Sequence, residues 1–320
     1  MLSTFSWSLF SLYFSASNTQ TFLKKCYQDQ HLQNSEQKSY ENCYPFIYYL
    51  EHGKVYYNQA KNSPLIIQPI LIFYGLVHLI RACILTIDPD YPETTSVLAH
   101  GVSTRKRKKQ QYNFFQDEVK IQRNGLFPLM CEQLFHMKQG EVDKITMGEL
   151  FQQIPELNDL FNQLEGKNTF FLVNNHDNSY YLPVEALDTF HMTENRFVEY
   201  FIKKTNGKTT FRGSDECHLI FEFERMNAFD STPLKYNLMK EIFAFPLEKN
   251  HLLSFHELLI HYLLLYNLSM IARYETEWWS ELNKTMPNKD FPFIETFLNI
   301  TLTKGPFLIY QYLMGKNKRQ

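Results

Sequence analysis

The sequence predicts an α+β protein: a mainly helical bundle drawn from both chain ends, with a mixed insert of antiparallel strands and helices between them. Three observations predict it. The first third repeats apolar residues at three- and four-residue steps. The middle third alternates with period two around Asn-Gly turn signals such as Asn124-Gly125 and Asn206-Gly207. The last third returns to helical spacing and is apolar almost all round from Leu258 to Ile271, as a central helix would be. The expected boundaries are residues 1–111 and 251–320 for the two helical parts and 112–250 for the insert.

Phe22, Leu23, Cys26 and Tyr27 share one helical face behind Ser17-Asn18-Thr19, a polar start able to cap it. A second helix is expected over 36–61, with Pro45 kinking it or shifting its start. The apolar run Leu65–Ile87 is as long as a membrane span but carries Gln68, Pro69, His78 and Arg81, so a buried core helix is expected. Glu118–Arg123 reads as a strand running into the Asn124-Gly125 turn. Thr146–Glu149 has the form of a capping box. Phe170–Val173 and Tyr180–Val184 form a hairpin around a polar turn, a helix spans Glu194–Lys203, and strands are expected at Thr209–Arg212 and His218–Arg225. One long helix over Phe255–Glu281 and two shorter ones, Asp290–Ile300 and Phe307–Leu313, complete the chain.

Composition narrows the function classes. The 320 residues hold one large domain or two ordinary ones, with core enough for either. A formal net charge of −2 excludes a chain wholly given over to nucleic acid, so any such contact is a local patch. The five cysteines, Cys26, Cys43, Cys83, Cys131 and Cys217, are scattered and form no Cys-x-x-Cys pair, which fits neither a disulfide framework nor a zinc site. The first residues have no Lys or Arg before Lys24 and are interrupted by serines, unlike a secretory signal. A cytoplasmic protein without membrane association is expected.

The densest chemistry lies between Thr86 and Gln111. There His100-Gly101 precedes Ser103, Thr104 and five consecutive cations from Arg105 to Lys109. His100, Gly101, Ser103, Thr104, Arg105 and Lys106 could together hold a phosphate through backbone N–H groups, hydroxyls and positive charge. The glycine and lysine spacing of a P-loop is absent, and the plain alternative is a solvated charge run. Arg81 and Arg273 fall in helices expected to be buried, so each needs a counter-charge. Asp88, Asp90 and Glu93 are the candidates for Arg81, and Glu275 and Glu277 for Arg273. Otherwise the two arginines face His100 or a ligand. His256 and His261 are misaligned for a metal pair on one helix face, and no metal or cofactor is expected. Serine- or cysteine-nucleophile signatures are absent.

Trp7, Ser17–Leu23, Tyr74-Gly75, Asp88–Pro92, Ser96–Val102 running to Arg105–Lys109, Asn124–Pro128, Leu268–Tyr274 and Trp278 together resemble YaaC-like proteins of Gram-positive bacteria. The resemblance implies a cytosolic protein and, through gene neighbourhood with IMP dehydrogenase, a link to purine nucleotides and a possible protein partner in purine metabolism. More remotely, the helix–loop–His-Gly pattern and Leu268–Tyr274 resemble HEPN-type helical domains, many of them ribonucleases with Arg and His closely spaced on one helix. The chain's match to that pair, Arg212 with His218, falls on an expected turn and strand. The expectation is therefore a non-catalytic binding or regulatory protein for a nucleotide or RNA. The alternatives are a metal-independent endoribonuclease using His100 as base with Arg105 or Arg273, and a module whose basic loop docks a protein.

Overall fold

The computed structural model describes residues 5–104, 112–137, 143–224 and 226–318. It is an α+β fold in two compact units, one formed by Glu149–Ile260 and the other by Ser3–Gly148 with His261–Gln320. The second, mainly helical unit opens with a 3-10 turn at Trp7–Phe14, then α1 (Ala16–Gln28), α2 (Ser35–Lys61) and α3 (Gln68–Leu85). Ser15, two residues before the expected cap, starts α1: its hydroxyl accepts from the Asn18 N–H at 3.5 Å. Pro45 sits inside α2 at an exposed position, where water can take up the carbonyl it leaves unbonded.

Helix α3 is the buried core helix that its composition predicts. It is long and apolar enough to cross a bilayer, and 72% of it is buried within the protein. Its last carbonyls, which no helical N–H can reach, are taken up by side chains. The Tyr27 hydroxyl donates to the Leu85 carbonyl at 2.8 Å and accepts from Asn42 at 3.1 Å, while Gln30 donates to the Thr86 carbonyl at 3.0 Å. Tyr27→Phe leaves the buried Leu85 carbonyl without its donor. We expect a loss of about 1–2 kcal/mol in urea unfolding with an unchanged m-value.

After α3 the chain forms β1 (Val102–Thr104), β2 (Glu118–Ile121), α4 (Leu126–Phe135) and β3 (Lys144–Thr146). The strands make an antiparallel three-stranded sheet in the order β1-β2-β3. The Asn124-Gly125 signal does mark a turn, but it leads into α4 rather than a returning strand. Gly125, at φ +124°, stands just before the helix, and Pro128 falls in its first turn, where a missing N–H costs nothing.

The Glu149–Ile260 unit takes in most of α5 (Met147–Phe151), then α6 (Asn158–Glu165), β4 (Phe170–His176), β5 (Ser179–Pro183), α7 (Ala186–Phe190) and α8 (Glu194–Lys204). It continues with β6 (Thr209–Ser214), β7 (His218–Phe223), β8 (Lys235–Asn237) and β9 (Ile242–Pro246). The six strands pair antiparallel in the order β6-β7-β5-β4-β9-β8. The hairpin expected at Val173 keeps its pairing to His176, so the polar turn shortens to Asp177-Asn178. One sheet face buries Val173, Leu182, Leu219, Phe221 and Phe245 with Phe190, Phe197 and Phe201 of the helices.

The helical unit is completed by α9 (Glu257–Tyr274), α10 (Thr276–Thr285) and α11 (Asp290–Lys318). The single helix expected over Phe255–Glu281 breaks at Glu275, whose φ of −115° and ψ of 49° are not helical. The two helices expected after Asp290 are one, with Pro306 inside it. Around the proline Thr301, Lys304, Gly305, Leu308 and Ile309 are all buried. Packing on that face outweighs the roughly 3 kcal/mol an interior proline costs.

Candidate functional site

In the otherwise apolar α3, Tyr74, His78 and Arg81 recur at helical spacing and line one face. Tyr49, His52 and Tyr56 do the same on α2. Glycines bring the two helices close. A Cβ on Gly75 would lie 2.8 Å from the Tyr57 ring and 3.0 Å from the Tyr56 Cβ, and one on Gly53 would lie 2.5 Å from Leu79. The two faces therefore mesh. His78 stacks on Tyr56 with ring centroids 5.6 Å apart and 21° between planes, and lies 5.1 Å from His52 and 6.0 Å from Tyr49. Tyr56 is 6.3 Å from Tyr74.

His100 reaches the same face from the loop that follows α3. Its carbonyl accepts from the Tyr262 hydroxyl at 2.8 Å and from the Phe127 N–H at 3.2 Å. Its ring meets Phe73 at 5.0 Å, Tyr266 at 5.6 Å and Tyr74 at 6.0 Å, all edge-on. Gly101 and Gly125 make this path possible. Gly101 has φ +75°, and a Cβ on Gly125 would lie 2.4 Å from the Gly101 Cα and N.

Arg273 of α9 donates to the Tyr74 hydroxyl at 3.0 Å and to the Ser269 carbonyl at 3.1 Å, and its guanidinium lies 5.7 Å from the Tyr74 ring centre. Arg81 is half-buried, with its Nε enclosed and unpartnered. Among the described residues neither arginine has a carboxylate within 4.0 Å. This corrects the expected ion pairs, since Asp90 instead pairs with Lys38 at 2.7 Å. Among the described residues, Nδ1 of His78 and Nδ1 of His100 also have no hydrogen-bond partner.

Burial first, and charge second, set the titration of this cluster. Burial, then Arg81 and His52, lowers the His78 imidazole to about 4. Burial, then Arg273 and Arg81, lowers His100 to about 4 as well. Both rings are therefore neutral at pH 7. Burial raises the phenols of Tyr91 and Tyr266, and the neighbouring arginines oppose that rise in part.

Of the residues singled out in the sequence, His100, Arg81 and Arg273 share this cluster. Gly101 is buried in the loop crossing. Ser103 and Thr104 lie in β1, paired with Lys120 and Val119, and the Ser103 hydroxyl accepts from Gln122 at 2.6 Å. Arg105, Lys106 and the cations up to Lys109 lie outside the described residues. Sequence spacing does not mark Tyr56, Tyr74, His78 or Tyr91 as site residues. The signal for two of them was the polar exception they make, with Arg81, in an apolar helix.

Arg212 and His218 stand on the β6–β7 hairpin, where Arg212 pairs with Glu222 at 2.5 Å and His218 faces Asp215 at 3.3 Å. His256 Nε2 lies 2.6 Å from the Phe229 carbonyl and His261 Nδ1 lies 2.8 Å from the Thr301 hydroxyl. Among the described residues no three or more His, Cys, Asp or Glu side chains gather as a metal site would require.

Fold and site thus define an α+β protein whose helical unit carries, among histidine and tyrosine rings, two arginines with no carboxylate partner among the described residues. The chain belongs to the YaaC-like protein family, whose family model matches residues 11–313. No curated protein and no solved structure matches it.

Proposed function

We propose that the protein binds a phosphate-bearing ligand, a nucleotide or RNA, at the Arg81–His100–Arg273 cluster, and that it does so without catalysis. The observation that carries this reading is the pair of half-buried guanidinium groups with no carboxylate within reach among the described residues. Removing a guanidinium from water is offset only by an opposite charge or a full set of acceptors.

Binding is favoured over turnover because, among the described residues, no carboxylate lies within 4.0 Å of the His78 or His100 ring to orient it for proton transfer. The basic run Arg105–Lys109 follows β1 in sequence and would add long-range attraction for an anion. The five free cysteines suit a reducing, cytoplasmic setting.

Calorimetric titration with pyrophosphate, ATP and a short single-stranded RNA tests the reading. We expect binding that weakens with salt. Arg81→Met and Arg273→Met should each reduce affinity about tenfold or more, as loss of a charge-assisted contact does. Alanines across 105–109 should mainly flatten the salt dependence. Failure of every probe to bind at millimolar concentration overturns the proposal and leaves protein docking through the basic run as the better reading.

A further inference from the structure

The proposed phosphate site continues into an unbroken track of rings. From the Tyr74 hydroxyl, 3.0 Å from an Arg273 nitrogen, the track runs through Tyr74 to Tyr56 at 6.3 Å and on to His78 at 5.6 Å. His78 stands one turn before Arg81 on α3. Tyr74 and Arg81 are seven residues apart, about 10 Å of axial rise in an α-helix. A ligand that fills the span needs an anionic group, a planar body able to lie against rings, and polar edges for the second guanidinium and the ring nitrogens.

We propose that the ligand is a nucleoside phosphate, its phosphate on one arginine and its base against the Tyr56, Tyr74 and His78 rings. This inference rests on the phosphate-binding reading above. Every base offers a π-face to a tyrosine or imidazole ring, and arginine pairs with the acceptor edge of a purine. Tyr56, Tyr74 and His78 are each only partly buried, so the track is open to solvent along part of its length. A sugar phosphate has nothing planar to place there.

Titration of the full chain with ribose 5-phosphate, adenosine 5′-monophosphate and guanosine 5′-monophosphate tests it. At least one mononucleotide should bind about tenfold or more tighter than ribose 5-phosphate, the gain one base–aromatic stack provides. Tyr56→Leu should remove most of that gain, read as the ratio of mononucleotide to ribose 5-phosphate affinity within the same variant. Should that variant fail to fold, the unmodified protein's preference for phenyl phosphate over methyl phosphate reads the same ring contact.

A single-stranded RNA that binds only with its bases present, where mononucleotides do not, assigns the same chemistry to a strand. Equal affinity for ribose 5-phosphate and both mononucleotides, with an RNA and its abasic counterpart also equal, overturns the base contact while leaving the phosphate site standing. No binding by any of these probes removes the phosphate site itself.

Discussion

Gly125→Ala should destabilise the protein by about 3 kcal/mol or more, the sum of two separate costs. The first is conformational: Gly125 holds φ +124°, a backbone region that costs a side-chain-bearing residue roughly 1–3 kcal/mol. The second is steric, because the new Cβ would lie 2.4 Å from the Cα and N of Gly101, atoms of a buried backbone. Gly101 cannot yield without moving His100, whose carbonyl is fixed by Tyr262 and Phe127. The variant should therefore lose phosphate affinity together with stability. Gly166→Ala is the control. It also has a positive φ, +67°, but nothing lies within 4 Å of its Cβ position, so about 1 kcal/mol is expected. Equal losses for the two alanines in denaturant unfolding would show that the loop crossing does not hold His100 in place.

What could be read from the sequence follows the range of the interactions involved. The burial of α3 was legible because an apolar run carries its own signal, whatever packs against it. The continuity of α11 was not. Pro306 and Gly305 are local helix breakers, and the burial of Thr301, Lys304 and Leu308 that overrides them is tertiary. The site divides in the same way. His100, Arg81 and Arg273 stood out singly, as polar groups in places that ought to be apolar or turn-like. Their convergence depends on Gly53 and Gly75 letting α2 and α3 approach, and on Gly101 crossing Gly125, contacts between residues far apart in the chain. The expectation that Asp88 to Glu93 would neutralise Arg81 used sequence proximity alone. In the fold Asp90 turns to Lys38 of α2, and no other described carboxylate takes its place within 4.0 Å of Arg81.

Burial, and after it the charge of the two arginines, makes the protein acid-sensitive through two particular rings. His78 and His100 have folded pKa values of about 4 against an unfolded value near 6.5. The unfolded chain therefore takes up these protons first as pH falls. Stability is unaffected by either ring above about pH 6.5, declines between there and pH 4, and levels off with respect to them below that. Both rings are partly reached by solvent, so the full shift is discounted to about 2 kcal/mol each, or about 4 kcal/mol together. We expect His78→Asn with His100→Asn to flatten this part of the profile, measured as unfolding free energy against pH. Carboxylate titration would persist in the double variant and is removed by the comparison. A bound anion should act in the same sense as the substitutions, because its charge offsets Arg81 and Arg273 and lets both imidazoles protonate more readily. Pyrophosphate should then shield the native protein from acid more than the double variant. An identical acid limb with and without both histidines would mean that the rings are not held neutral by burial and the two arginines, and the electrostatic case for an anion site would fall with it.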